Sequence, residues 1–278
     1  MDTGKPIQLP GKKLPGKLPD RPKKRFGTAR NILALMLREM STRYGRTPGG
    51  YIWAVVEPIA AIMFLSLGFS LLLRSPSLGT SFILFYASGY LILHFYTNIS
   101  GSVAQAIVFS RSLLRYPAVN WVDAILARLI LNSLTGIAIA VLLMTVIVAS
   151  IDVSVVFDLP PIIEAFVLCI ILSFGIGCLN CCLFGLFPVW LVIWNVLTRP
   201  LMIASGVIFI YEDLPSFAQD ILWWNPLFHL TGLMRVGIYP TYSPTYIDIT
   251  YVLSFGMICM ALGLLLTRRY NREILIKG

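Results

Sequence analysis

Two long stretches of this chain, residues 75–110 and 165–198, carry no Asp, Glu, Lys or Arg. An apolar helix needs about 20 residues to cross the hydrocarbon core of a membrane, and each stretch is longer than that. Hydrophobic residues make up 57% of the chain and charged residues 13%, whereas a soluble domain carries about 25% charged residues. The sequence therefore indicates an all-α integral membrane protein.

The apolar runs predict six transmembrane helices. The run that includes residues 165–198 is too long for one helix, and Gly185 to Pro188 indicates a turn inside it. Proline lacks the N–H that a continuing helix would use. The six predicted spans are residues 51–73, one helix within 75–110, 129–151, about 161–186, about 189–211 and about 247–267.

The remaining segments predict three further features. Residues 1–27 are rich in Pro, Gly and Lys, which predicts a disordered basic cytoplasmic tail. Residues 28–46 place apolar side chains on one helical face, which predicts an amphipathic helix at the membrane interface; a solvated helix of a soluble bundle is the alternative. Within the transmembrane domain of residues 47–278, residues 212–245 are aromatic and interrupted by prolines. This region predicts a periplasmic re-entrant helical hairpin.

The basic residues are distributed unevenly along the chain. Residues 1–46 hold twelve of the 22 Lys and Arg, and the predicted outer loops hold only Arg74 and Arg235. Cytoplasmic segments carry the excess of basic residues in membrane proteins. No apolar stretch resembling a signal peptide lies at the start. We expect a multi-pass protein of the inner membrane with both termini in the cytoplasm, and no nucleic-acid partner.

The sequence contains no clear motif for phosphate binding, catalysis or metal binding. Each Gly-Lys pair lacks the Ser or Thr of a phosphate-binding loop, and no catalytic set or metal-ligand cluster stands out. Cys178-x-x-Cys181 lies in an apolar run, where small thiols suit helix packing better than a metal site. Small residues repeat every four positions at Ser173, Gly177, Cys181 and Gly185, a pattern typical of close helix packing. We expect no enzyme, and no cofactor or metal in this chain.

Three segments carry recognisable patterns. The first runs from Arg38 to Pro58 and ends in Trp-Ala-x-x-Glu-Pro; the second runs from Arg111 to Asp123. The third begins at Thr198-Arg199-Pro200 and continues to Trp224-Asn225-Pro226-Leu227-x-His229. In this order, from about residue 28 to the end, they resemble ABC-transporter permeases of the polysaccharide-exporting branch. The Glu-Pro variant resembles the capsular polysaccharide members in particular.

This resemblance implies the transmembrane subunit of an ATP-driven exporter that moves capsular polysaccharide, expected to be lipid-linked, across the inner membrane. It implies a channel formed with a second copy, ATP-binding subunits that hold ATP and Mg, and periplasmic and outer-membrane export proteins. It also implies that residues 28–46 and 111–123 contact the ATPase. The residues expected to couple to it are Arg38, Arg43, Tyr44, Arg111, Leu114, Arg115, Tyr116, Pro117 and Asp123.

Glu57 and Arg199 are charged residues well inside their predicted spans. An ionised group there costs a few kcal/mol unless it is paired or hydrated. They could face a polar conduit, form a structural ion pair or reach the membrane surface. Clustered aromatic residues could stack on sugar rings, or form an interfacial belt. The residues expected along the substrate path are Glu57, Trp190, Trp194, Arg199, Tyr211, Trp223, Trp224, Asn225 and His229.

Other functions remain open from the sequence. Within transport, the alternative is an O-antigen or teichoic-acid exporter. From a different class, the alternative is a membrane-embedded acyl- or glycosyltransferase, which should gather titratable residues at one membrane face. A secondary transporter is a third option, but the chain shows no internal repeat of the kind that many such folds contain.

Overall fold

The structure is a computed structural model that describes residues 27–44, 50–114, 119–151 and 155–276. Within these ranges the regular secondary structure is helical. The predicted tail lies outside them, apart from Gly27. The helices are α1 (Gly27–Tyr44), α2 (Gly50–Ser70), α3 (Phe82–Ala104), α4 (Ala106–Leu114), α5 (Trp121–Ser150), α6 (Leu159–Leu186), α7 (Pro188–Thr198), α8 (Leu201–Ala204), α9 (Ser216–Leu222), α10 (Pro226–Ile238) and α11 (Ile249–Ile276), with a 3₁₀ turn at Tyr211–Asp213.

Five helical segments of the described chain are long and apolar enough to cross a membrane. They are α2, α3 continued by α4, α5, α6 and α11. The all-α expectation is confirmed, and these five segments match five of the predicted spans. The predicted span at 189–211 instead forms α7 and α8, separated by Arg199 and Pro200. At about 1.5 Å per residue, α7 alone is too short to cross. A sixth span stays a prediction.

The start of α5 differs from the prediction for a local reason. The apolar run predicted a span from residue 129, but the helix begins at Trp121. The backbone N–H of Asn120 donates to the Asp123 carboxylate at 3.3 Å, which satisfies a donor at the helix start. The predicted coupling segment 111–123 therefore includes the end of α4 and the first turn of α5. Leu114 ends α4, Asp123 lies in the first turn of α5, and residues 115–118 are outside the described part.

The centre of the bundle is formed by α3 and α6, which pack against each other. Helix α6 also packs along the length of α11, and α3 contacts α2, α5 and α10. A Cβ added to Gly177 would lie 2.7 Å from Cβ of Val103, and one added to Gly263 would press on the backbone at Cys178. The packing role predicted for the small-residue stripe of α6 is therefore confirmed at Gly177.

Two helices remain at the edge of the bundle. Helix α7 packs on α6 and has no buried residue. Helix α2 packs on α3 and α5 but exposes Trp53, Phe64 and Leu67. Helix α10, although it is only 13 residues long, is buried along nearly its whole length against α3 and α6. The open faces of the described bundle thus include α2 and α7, while α10, which is part of the segment predicted as a re-entrant hairpin, lies against its centre.

Candidate functional site

A groove opens between α2, α3 and α5, beside the first half of α2. It encloses a cavity of about 550 Å³. That volume is within the roughly 300–1,000 Å³ typical of small-molecule sites. Its lining mixes polar and apolar side chains, and we call it the groove from here on. The lining residues are Gly50, Trp53, Ala54, Val56, Glu57 and Ala60 from α2, His94 and Asn98 from α3, and Asn132, Thr135, Gly136 and Ile139 from α5.

The two α3 residues that line the groove, His94 and Asn98, belong to a longer polar face of that helix. Tyr90, His94, Asn98 and Ser102 recur every four residues, so they lie along one side of the helix. The ring of Tyr90 stacks on His94 with centroids 5.8 Å apart. The amide nitrogen of Asn98 lies 2.9 Å from Nε2 of His94 and donates to the His94 carbonyl at 3.1 Å. The orientation of the Asn98 side chain is therefore fixed by its own helix.

Helix α5 supplies a second polar wall. The amide nitrogen of Asn132 donates to the Arg128 carbonyl at 2.7 Å. Its Oδ1 accepts from the hydroxyl of Ser102 at 3.1 Å, which ties α5 to α3. These bonds hold the side chain in one position beside the cavity. A site whose side chains are held before a ligand arrives loses less entropy on binding.

A second cavity of about 350 Å³ adjoins the groove and shares Asn98 with it. We call it the lower cavity. Nε of Arg128 lies 3.0 Å from Oε2 of Glu39, and both side chains are 8% exposed. Arg128 also donates to the Ser102 carbonyl at 2.7 Å, and its guanidinium carbon lies 4.3 Å from the ring centre of Phe109. The lower cavity is lined by Glu39, Thr42, Thr97, Asn98, Gly101, Ser102, Gln105, Phe109 and Arg128.

The two charges predicted along the substrate path lie in different places. Glu57 is exposed and lines the groove. Arg199 is exposed at the end of α7, a helix that packs on α6. Within the described part of one chain these two residues form no ion pair. The structure therefore does not support the alternative of an intrachain Glu57–Arg199 bridge.

The predicted aromatic path divides in the same way. On α7, the indole nitrogen of Trp190 donates to Oδ1 of Asn180 at 3.0 Å, and the Trp190 and Trp194 rings are 6.4 Å apart. The other predicted residues gather elsewhere, with α9, α10 and the start of α11, in what we call the outer cluster. It comprises Tyr211, Trp223, Trp224, Asn225, His229, Tyr246 and Tyr251.

Within the outer cluster, polar groups bond to the protein main chain. Asn225 accepts from the N–H of Leu227 at the start of α10 and donates to the carbonyl of Ala204 at 2.7 Å. His229 is 1% exposed. Its Nδ1 accepts from the N–H of Asp248 at 3.1 Å, so Nε2 carries the proton and donates to the Trp223 carbonyl at 2.7 Å. These two residues join α10 to its neighbouring loops.

From the sequence, Arg235 was counted with the outer loops, and it also falls in the segment predicted as a re-entrant helical hairpin. It lies in α10 and is 1% exposed. Its two terminal nitrogens donate to the carbonyls of Val207 and Phe209, each at 3.0 Å, and its guanidinium carbon lies 4.3 Å from the ring centre of Phe85. The signal available in the sequence was its helical spacing from Phe228 and Thr231. The carbonyl groups that accept its hydrogen bonds belong to the main chain, so no sequence pattern indicates them.

The predicted coupling residues whose side chains the structure describes are Arg38, Arg111, Leu114 and Asp123, and they lie at one end of the bundle. Leu35 of α1 packs near Leu114 and the start of α5, and Asn31 donates to Asp123 at 3.4 Å. Arg111 donates to the carbonyl of Ile274 at 2.8 Å, near the end of α11. Arg38 lies over Phe109, with its guanidinium carbon 5.4 Å from the ring centre. These contacts join the ends of four helices, α1, α4, α5 and α11.

Five of the predicted coupling residues have no described side-chain position. Arg43 and Tyr44 belong to α1, but their side chains are outside the described part. Arg115, Tyr116 and Pro117 lie between α4 and α5, also outside it. Elsewhere, the described residues contain no group of His, Cys, Asp and Glu that could hold a metal ion.

Comparison with known protein families identifies the family of this chain. The family model described as ABC-2 type transporter matches residues 30–239, from α1 to the end of α10. The chain belongs to the ABC-2 type transporter family. The matched region of this ABC-2 chain contains the groove, the lower cavity and Arg235.

Named relatives of this ABC-2 chain are similar along most of its length. It is 29% identical over 88% of its length to the polysialic acid transport protein KpsM of Escherichia coli, covering 95% of that protein. It is 29% identical to the capsule polysaccharide export inner-membrane protein BexB of Haemophilus influenzae and 28% identical to CtrC, of the same description, of Neisseria meningitidis serogroup B. For both, the match spans 88% of this chain and 92% of the relative.

Proposed function

We propose that this chain is the transmembrane subunit of an ATP-driven exporter that moves capsule-type polysaccharide across the inner membrane. The observation that carries the proposal is the similarity to inner-membrane proteins named for capsule polysaccharide export, which covers almost their whole length. The polar groove within apolar spanning helices is consistent with a hydrophilic cargo, because unmatched polar groups are costly in a membrane.

ATP and Mg would be bound by a separate subunit in this proposal. Its docking surface would be the end of the bundle where α1, α4, α5 and α11 meet. The predicted coupling residues with described side chains, Arg38, Arg111, Leu114 and Asp123, lie at this end. Since α1 packs directly on α5, a movement of α1 would reach the helix that forms one wall of the groove.

A second copy of the chain would complete the path. Helices α2 and α7 expose apolar faces at the edge of the bundle, and a symmetric pair could bury such faces against each other. In that arrangement α7 and α8 together would serve as the sixth span, both termini would be cytoplasmic, and residues 212–245 would form the periplasmic re-entrant region. Periplasmic and outer-membrane proteins would receive the glycan, which we expect to be lipid-linked.

The substrate-path residues keep two roles in the proposal. Glu57 would contact cargo in the groove, and Arg199, Trp190 and Trp194 would do so from α7. The outer cluster would line the exit through exposed rings such as Trp224, which is 67% exposed. Asn225 and His229 would hold that cluster in place through their main-chain bonds.

Deleting the gene in its native host tests this function. We expect cell-surface capsule to be lost and completed polysaccharide to accumulate inside the cell, with both restored by the wild-type chain. Loss of O-antigen or teichoic acid instead would favour an exporter of that other glycan. Unfinished glycan inside the cell would favour a membrane-embedded transferase. Unchanged surface glycan of every kind would contradict the proposal.

A further inference from the structure

We propose that the groove between α2, α3 and α5 is a subsite for the uncharged, hydroxyl-bearing face of a sugar chain. This inference rests on the proposed export of a glycan and names the part of the glycan that the groove holds. It also adds side chains that the sequence did not indicate as path residues. Those side chains are Trp53, His94, Asn98, Asn132 and Thr135.

The first reason is the mixture of groups around the cavity. Glu57, Asn98 and Thr135 offer a carboxylate, an amide and a hydroxyl, while Val56 and Ile139 offer apolar surface. A sugar ring presents hydroxyl groups at its edge and C–H groups on its faces, so it can match both kinds of lining. A lipid tail would cover the apolar part but leave the Glu57 carboxylate without a matching partner.

The second reason is charge. Glu57 contributes one negative charge to the groove, and the lower cavity contains Arg128 beside Glu39. The described side chains that line the groove include no Lys or Arg, and those that line the lower cavity include one, Arg128. Its Nε is 3.0 Å from the Glu39 carboxylate. An anionic group entering the groove would meet Glu57 and find this cation already neutralised. The lining therefore favours uncharged sugar units or the uncharged edge of a charged unit.

The third reason is that the polar walls are held in place. Asn98 is fixed by His94 on its own helix, and Asn132 by Arg128 and Ser102. Hydroxyl groups of a sliding chain would meet donors and acceptors at fixed positions on α3 and α5. Glu57 adds an acceptor from the opposite wall, and it is an exposed side chain. Carboxylates accept hydrogen bonds from hydroxyl donors strongly.

Photo-cross-linking in the native host tests the inference with the complete export machinery. A small diazirine-bearing amino acid is placed at Thr135, which lines the groove, or at its neighbour Leu134, which is 59% exposed and outside the lining. Ala54 in the groove and Phe64, 76% exposed on the same helix, form a second pair if the first does not insert. The probe is the cell's own surface polysaccharide, detected on the cross-linked chain by an antibody against it.

We expect polysaccharide to be attached at Thr135 and Ala54, and to be absent or several-fold weaker at Leu134 and Phe64. Phospholipid alone at all four positions, in cells with normal surface glycan, would overturn the subsite while leaving export by this chain intact. The deletion strain distinguishes failure of the subsite from failure of the proposed function, because unchanged surface glycan in that strain would contradict the export function itself.

Discussion

The groove and the outer cluster both gather polar and aromatic side chains among apolar helices, yet their contacts differ. In the outer cluster, Asn225 and His229 bond to main-chain groups, and the neighbouring Arg235 does the same. In the groove, Asn98 and Asn132 are likewise bonded to the protein, but Glu57 is exposed beside a cavity of about 550 Å³. Polar groups that the protein already satisfies support the fold, whereas polar groups beside open space can be matched by a ligand.

This comparison predicts opposite outcomes for substitutions in the two regions. Changes at the residues bonded to the main chain, Asn225, His229 and the neighbouring Arg235, should lower stability first and function only in consequence. Changes in the groove should lower function while the protein still inserts and folds. The lower cavity lies between these cases, because its ion pair is both buried and adjacent to the groove.

The largest effect is expected for Arg235→Met. It would leave the buried carbonyl of Val207 and the partly buried carbonyl of Phe209 without this donor, and the loss at a buried group costs about 1–3 kcal/mol. Arg235→Lys should rescue little, because an ammonium lacks the planar fork that reaches both carbonyls. Arg74→Met, at an exposed arginine, is the control. Membrane abundance and the melting temperature in detergent measure the effect, and a wild-type melting temperature for Arg235→Met would contradict the assigned role.

The next effect concerns the Glu39–Arg128 pair. Glu39→Gln should destabilise the chain by about 3 kcal/mol, because breaking a buried pair leaves a charge uncompensated. Arg128→Met should do likewise, and the double variant should lose less than the sum of the two. A double-mutant cycle on thermal or denaturant unfolding measures this coupling. Additive losses would show that the pair contributes no coupling energy.

A smaller effect is expected for pH, acting through His229. Burial lowers the pKa of His229 from its usual 6.5, although the Trp223 carbonyl and Asp248 oppose this shift. The folded chain then binds fewer protons than the unfolded chain between the two pKa values. Its contribution to stability is full above about pH 6.5 and is lost as the pH falls through the folded pKa.

His229→Gln removes this titration. We expect the wild-type melting temperature to fall between about pH 7 and pH 5.5, and the variant to fall less over the same window. Melting measured in detergent at several pH values provides the comparison. Equal slopes for the two proteins would mean that His229 is not held neutral by its burial and its bond from Asp248.

Much of the fold could be predicted from the sequence because lipid requires long apolar helices. The start of α5 could not, since an apolar-run criterion overlooks the polar first turn at Asn120 and Asp123. The buried position of Arg235 could not be predicted either. Its helix is too short to be recognised as a membrane span, and its hydrogen-bond partners are main-chain carbonyls. Glu57 was identified because a carboxylate in a spanning helix is costly.

Only part of the groove could be predicted from the sequence. The four-residue spacing of Tyr90, His94, Asn98 and Ser102 is present in the sequence and indicates a polar face on α3. Which helices face that stripe depends on tertiary packing, which places α2 and α5 on either side of the cavity. Without those neighbours, His94 and His229 look alike in the sequence, although one lines an open groove and the other is buried among main-chain groups.

Filling the groove tests the central claim most directly. Ala60→Trp places a large ring in the groove, and Leu67→Trp places the same ring on an exposed part of the same helix outside the lining. Surface polysaccharide is measured in the native host and divided by the amount of chain in the membrane. We predict that this ratio falls several-fold for Ala60→Trp and stays at the wild-type value for Leu67→Trp. Equal ratios for both variants, with both inserted normally, would contradict the claim that cargo passes through the groove.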